Sequence, residues 1–209
     1  MTTFVDLHVQ PKVDDENSSR RMAELIRLAG YSAIGLTIPT GLMHDKIASL
    51  RRVFEDKGIE TFLRVDIVSG SRAELLRLLR RFRSGFDILA VKCINQAVAP
   101  VACRDRRVDV VFFDPNQRNI RFSHAYANLL RGALELNLIS SLLGTTSSET
   151  FSKLAKEAGI SRSHNTKVIL SSGSKSPETV RSPLQVSALG LAMGLSREQS
   201  LRGVSQNPE

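Results

Sequence analysis

The sequence predicts an α/β fold, a TIM-like barrel of about seven parallel strands with surrounding helices, formed by residues 1–209 as a single domain. Three observations predict it. Seven β-rich runs start between 20 and 30 residues apart, and each gap is long enough for the crossover helix that a parallel βαβ unit requires. Apolar stripes of helical period occupy several of those gaps. Polar residues recur late in successive strands. That pattern suits side chains converging on the C-terminal mouth of a barrel better than the two apolar faces of an open parallel sheet.

The elements follow in order along the chain. The first run, Phe4–Val9, carries Asp6 and His8 at alternate positions, which share one face of a regular strand. Met22, Leu25, Ile26 and Ala29 form the first helical stripe, and Gly30 stands where a C-cap glycine would. The second run is Ala33–Ile38. His44 sits at the expected start of the helix after it, which Gly58 follows. The third run, Thr61–Val68, places Arg64 and Asp66 on one face, and Leu75, Leu78, Leu79 and Phe82 stripe the next helix. The fourth, Ile88–Cys93, presents Lys92, and the fifth, Val108–Asp114, ends on Asp114. His124 lies near the start of another helix. The sixth strand is expected over Leu138–Leu143, with Gly159 ending the helix behind it and His164 in a polar loop. The seventh is expected over Lys167–Ser172, and no eighth is visible.

Composition narrows the function classes. The 209 residues are 42% hydrophobic and 24% charged, as in a globular chain. No run of about 18 apolar residues exists to span a membrane. Met1–Gln10 lacks the basic stretch and apolar core of a signal peptide. Cys93 and Cys103 are too few to staple a secreted fold and have no partners at metal-ligand spacing, so a reduced cytoplasmic protein is expected. The 29 basic residues exceed the 21 acidic ones, and 21 of them are Arg, the better residue for bidentate phosphate contact. The excess is spread along the chain, with 15 basic and 12 acidic residues up to residue 100 and 14 and 9 beyond it. Such a balance suits a polyanionic partner such as RNA, and is also met in merely soluble basic proteins.

Four stretches could carry chemistry. Val5-Asp6-Leu7-His8-Val9-Gln10 resembles the opening D-x-H-x-H of the PHP metallohydrolases, in which two imidazoles on one strand face converge on a metal. Gln10 stands where the second His would be, so no protein-held metal is expected, although Asp66 and Asp114 are carboxylates at the same mouth. The helix Arg72–Ser84 holds five Arg against Glu74 as its only acid, a face for RNA or a protein partner unless it is simply solvated. Ser171-Ser172-Gly173-Ser174-Lys175 follows the seventh strand, where barrels commonly hold phosphate. Asn116–Arg121 is a polar loop containing Arg118 and Arg121. No G-x-S-x-G or P-loop pattern occurs and no nucleophile–base pair can be named.

The C-terminal third carries a more specific pattern. It runs Val168-Ile169-Leu170-Ser171-Ser172-Gly173-Ser174, then Val180-Arg181-Ser182-Pro183, then Ala188-Leu189-Gly190-Leu191-Ala192-Met193-Gly194-Leu195. With Asn128-Leu129-Leu130-Arg131, Phe4-Val5-Asp6-Leu7 and Val108-Asp109-Val110-Val111, it resembles the strand-barrel protein subunit of archaeal and eukaryal ribonuclease P, archaeal component 3. That family is itself distantly similar to the PHP barrels.

The resemblance implies a subunit of a ribonucleoprotein that removes the 5′ leader of precursor tRNA. It implies catalysis by the RNA subunit with its Mg²⁺, and a protein partner, component 2, in a heterotetramer. The protein would neutralise phosphates and brace the RNA. The residues expected to face RNA are Lys92, Arg118, Arg121, Lys175 and Arg181, with Ser171 and Ser172 in the loop after the last strand. The competing readings are a metal-dependent PHP-type phosphoesterase and a phosphosugar-binding barrel enzyme.

Overall fold

The computed structural model describes residues 3–115, 117, 119–137, 147–206 and 208. Seven strands form one sheet: β1 (Val5–Val9), β2 (Ala33–Thr37), β3 (Glu60–Val68), β4 (Ile88–Cys93), β5 (Val110–Phe113), β6 (Ala133–Asn137) and β7 (Val168–Ser171). Their spatial order is the chain order, and every pairing is parallel. The helices are α1 (Glu16–Ala29), α2 (His44–Glu55), α3 (Arg72–Phe82), α4 (Ala99–Arg104), α5 (His124–Leu129), α6 (Ser147–His164), α7 (Pro183–Ala192) and α8 (Arg197–Gly203). The result is a nearly closed TIM-like barrel.

The seam between β7 and β1 is closed by single contacts rather than a ladder. Val9 bridges Ser174, and Gln10 N–H donates to the Ser174 carbonyl at 2.8 Å. The Asp6 carboxylate accepts from Ser172 N–H at 3.2 Å. At the opposite end, Val5 N–H donates to the Val204 carbonyl just past α8, so the C-terminal helix pair covers the place of an eighth βα unit.

Apolar residues sort into two layers. Val5, Leu7, Ala33, Ala90, Val110, Ala133 and Ile169 pack together inside the foot of the barrel, the end where the strands begin. Ile34, Leu36, Val65, Ile67, Leu89, Val91, Val111 and Leu134 face outward, under the helix stripes that include Met22, Ile26, Leu75 and Leu79. This alternation is the period-2 pattern of strands buried on both faces.

Local signals set the helix ends. Asp15 accepts from Ser18 N–H to cap α1, and Gly30 ends that helix at φ 99°, the left-handed region where a side chain is disfavoured. Ser71, Ser182 and Ser196 cap α3, α7 and α8 in the same way, the last two in full capping boxes with Gln185 and Gln199.

Three expectations are corrected here. The sixth strand is Ala133–Asn137, and the Leu138–Leu143 stretch expected to form it lies outside the described residues. Gly159 does not end a helix: it lies within α6, which continues to His164, so His164 closes a helix rather than lying in a loop. Asp6 and His8 do not act from one face. The β1–β2 register shifts between Asp6 and Val9, and this bulge turns the His8 ring into the barrel while Asp6 faces the seam.

Two stability tests follow. A Cβ on Gly35 would fall far inside contact distance of the Leu7 backbone, so β1 approaches β2 there only because residue 35 has no side chain. Gly35→Ala should cost about 1–3 kcal/mol or more in chemical denaturation. Glu157 on α6 is 3% exposed, and burial pushes its carboxyl up to about 8 despite the N–H of Phe122 and the charge of Arg121. In the unfolded chain it ionises near 4.5, so from there to about 8 the folded state keeps a proton that the unfolded state has lost. Stability therefore falls as pH rises through that window. Glu157→Gln should flatten this loss in melting curves taken from pH 5 to 8.5.

Candidate functional site

Toward the C-terminal mouth the barrel interior changes from apolar to charged. Arg64 on β3 has no solvent exposure. Its Nε donates to Asp66 Oδ1 at 2.7 Å, one Nη to the Leu7 carbonyl of β1 at 2.9 Å, and the other to Glu135 Oε2 of β6 at 2.6 Å. Glu135 Oε1 also takes the Ser171 hydroxyl of β7 and lies 2.7 Å from His8 Nδ1. His8 Nε2 is 3.4 Å from Asp66 Oδ2, and Asn137 Nδ2 is 3.1 Å from His8 Nδ1. The guanidinium and the imidazole also lie against the Phe112 ring, at 5.7 and 6.1 Å. Thus β1, β3, β6 and β7 are tied across the barrel axis by one network of side chains.

The electrostatics follow from burial and pairing. Burial raises the Glu135 carboxyl, but the charges and hydrogen bonds of Arg64 and His8 outweigh it and hold the group well below the usual carboxylate range. Burial disfavours the Arg64 cation, yet Glu135 and Asp66 reverse that and raise it above its ordinary value. Asp6, outside the network, is raised by burial, with partial relief from the Ser172 and His8 N–H groups.

His8, Asp66 and Glu135 are metal-ligand residue types, but the guanidinium lies between the two carboxylates. The donor set does not fit a metal ion while Arg64 holds it. Among the described residues no group of three or more His, Cys, Asp or Glu is arranged to hold one.

The residues that the sequence puts forward for RNA are placed as follows. Lys92 stands at the mouth, 2.7 Å from Asp114. Arg121 donates to the carbonyls of Asp114 and Pro115. Arg181 donates to those of Glu178 and Val180. Lys175 is exposed on the loop after β7. Ser171 and Ser172 are buried: the first hydroxyl serves Glu135 and the second meets Ser174 Oγ at 2.6 Å. Arg118 lies outside the described residues. The polar residues read from the strands meet in the contacts Arg64–Asp66 and Lys92–Asp114. Glu135, the centre of the network, is absent from the sequence-based candidates, although Ala133-Leu134-Glu135-Leu136-Asn137 alternates as a strand with two polar residues on one face.

With the geometry described, comparison with known proteins identifies the family. A family model described as RNase P subunit p30 matches residues 3–209. The chain belongs to the RNase P subunit p30 family. The ribonuclease P protein component 3 of Methanosarcina barkeri is 26% identical over 215 residues, spanning 99% of this chain and 87% of that protein. Among solved structures, a chain of an archaeal ribonuclease P determined by cryo-EM with mature tRNA superposes at TM-score 0.81 and 15% identity, covering 95% of this chain and 87% of that one. Histidinol phosphate phosphatase from Lactococcus lactis shares the fold at TM-score 0.57 and 15% identity, covering 93% and 95%. In this p30-family chain His8 is engaged by an internal ion-pair network.

Removing one member of that network leaves a buried charge unmatched. Glu135→Gln should destabilise the protein by about 3–5 kcal/mol in chemical denaturation at pH 7. The wild-type advantage should shrink on acidification below the ordinary carboxylate value of 4.5, because a lowered folded-state value gives stability that is lost as pH falls.

Proposed function

We propose that this p30-family chain is a non-catalytic protein subunit of ribonuclease P, acting in the cytoplasm of an archaeal cell. It braces the RNA subunit, whose Mg²⁺ ions perform the hydrolysis that removes the 5′ leader of precursor tRNA. One observation carries the non-catalytic part of the reading. The C-terminal mouth, where barrel enzymes keep their reactive groups, is neutralised from within by Arg64, which occupies the carboxylates that chemistry would need. Family membership over residues 3–209 and the formal net charge of +8 support the RNA partnership. Component 2 would join the chain in a heterotetramer. Lys175 leads the mouth residues proposed to face RNA, with Lys92, Arg121 and Arg181, and Arg118 is proposed with them from the sequence alone.

Reconstitution tests this reading. Adding the chain and component 2 to the RNA subunit should lower the Mg²⁺ concentration needed for precursor-tRNA cleavage, and the chain with component 2 but no RNA should not cleave. The chain alone, given Zn²⁺ or Mn²⁺, should hydrolyse neither precursor tRNA nor a phosphomonoester. Metal-dependent hydrolysis by the chain alone would replace this reading with a phosphoesterase.

A further inference from the structure

The mouth is not the only concave end of the barrel. A cavity of about 1120 Å³ opens at the foot, where the strands begin. Its floor is the apolar inner layer, including Val5, Ala33, Ile88, Val110 and the half-buried Phe62. Its rim carries the residues just ahead of three successive strands: Arg106 before β5, Arg131 before β6 and Lys167 before β7.

These three cations are uncompensated. All are exposed, and among the described residues none has a side-chain hydrogen bond or ion pair. The neighbouring acids are already engaged. Asp109 accepts from Arg83 at 2.7 Å and from Leu89 N–H at 2.8 Å, and Asp87 accepts from Leu63 N–H at 2.7 Å. Arg83 is itself fixed by three backbone carbonyls. Glu60 and Arg51 stand across the opening, and Arg51 is held by Thr61 and Glu55. Beyond Arg131 a second groove continues past Asn128 to Arg104, extending the basic track along the outside of α4 and α5.

We propose that the foot of the barrel binds an unpaired stretch of RNA, with successive phosphates on Arg106, Arg131 and Lys167 and a base over the apolar floor beside Phe62. The inference rests on the RNA-partner reading and moves the larger share of phosphate contact from the mouth to the foot. A concave site suits a single strand, whose bases can be splayed into it, better than the convex backbone of a duplex. Three exposed cations that form no ion pair among the described residues, beside an Asp109 already paired with Arg83, also match a polyanion. At the mouth, by contrast, Lys92, Arg121 and Arg181 are already bound within the chain.

The test uses the full chain and a fluorescently labelled oligoadenylate of about ten nucleotides, titrated at several salt concentrations. At roughly 0.7 per phosphate for a single strand, the variant Arg106→Gln/Arg131→Gln/Lys167→Gln should have a log–log salt slope shallower by about 2. Its melting temperature should stay near wild type, since none of the three is paired. Lys156→Gln/Arg197→Gln, at two exposed cations on α6 and α8, should leave the slope close to wild type, and Lys175→Gln/Arg181→Gln should lower it by less than the triple variant does. An unchanged slope in the triple variant, or a loss confined to the Lys175/Arg181 variant, overturns the foot site while leaving the RNA-partner reading intact. Salt-independent wild-type binding, or none to either the oligonucleotide or the RNA subunit, overturns both. A hairpin duplex bound as tightly as the single strand, with the same loss in the triple variant, overturns the unpaired-strand assignment.

Discussion

A guanidinium with no solvent exposure can persist only where negative charge and carbonyl oxygens surround it, because the effective penalty for burying an ion is several kcal/mol. Arg64 meets that requirement by reaching Glu135 across the barrel, Asp66 on its own strand and the Leu7 carbonyl of β1. The rest of the interior is arranged around this demand. The bulge in β1 lets His8 turn toward Glu135 while Leu7 offers its carbonyl to Arg64. That approach requires the neighbouring position on β2 to lack a side chain, and it is Gly35. Ser171 on the neighbouring β7 supplies a further donor to Glu135, and through that carboxylate β6 is coupled to β1 and β3, with which it shares no ladder.

The same network decides what the mouth can do. A barrel that gathers carboxylates and an imidazole at its C-terminal end has the raw material of a metal site. Here an arginine supplies the positive charge permanently, and unlike a metal it offers no open coordination position. The chain shares its barrel fold with histidinol phosphate phosphatase, and here the interior at the mouth serves cohesion. Lys92 and Asp114 form a further ion pair at the mouth, only partly buried.

Much of this was legible in the sequence. The spacing of the β-rich runs and the helical stripes gave the barrel, and Arg64, Asp66, Lys92 and Asp114 were readable as a converging set because they alternate on regular strands. The misses share a cause. The Leu138–Leu143 run begins and ends on leucines and reads more strongly as a strand than Ala133–Asn137, so residue types alone leave Glu135 outside any strand. The bulge at β1 likewise leaves no mark in residue types, and alternation alone put Asp6 and His8 on one face. Ser171 and Ser172 look like phosphate ligands from composition. Only the three-dimensional placement of Glu135 and Ser174 shows that their hydroxyls are spent inside the chain.

The distribution of charge between the two ends follows from the topology. In a parallel βα barrel every crossover helix runs back toward the strand starts, so the helix C-termini, with their negative partial charge, collect at the foot. Cations are stabilised there without needing carboxylate partners. The last turns accordingly carry Arg27 in α1, Arg52 in α2, Arg80 and Arg81 in α3, Arg104 in α4 and Arg162 in α6, while Glu16, Asp45, Glu74 and Glu149 sit in first turns near the mouth. An exposed cation ring at the foot thus costs little in folding and stays available to an external polyanion. At the mouth, where helix N-termini favour anions, cations survive mainly by pairing within the chain. The polarity that stabilises the fold is therefore the polarity that aims its foot at phosphate.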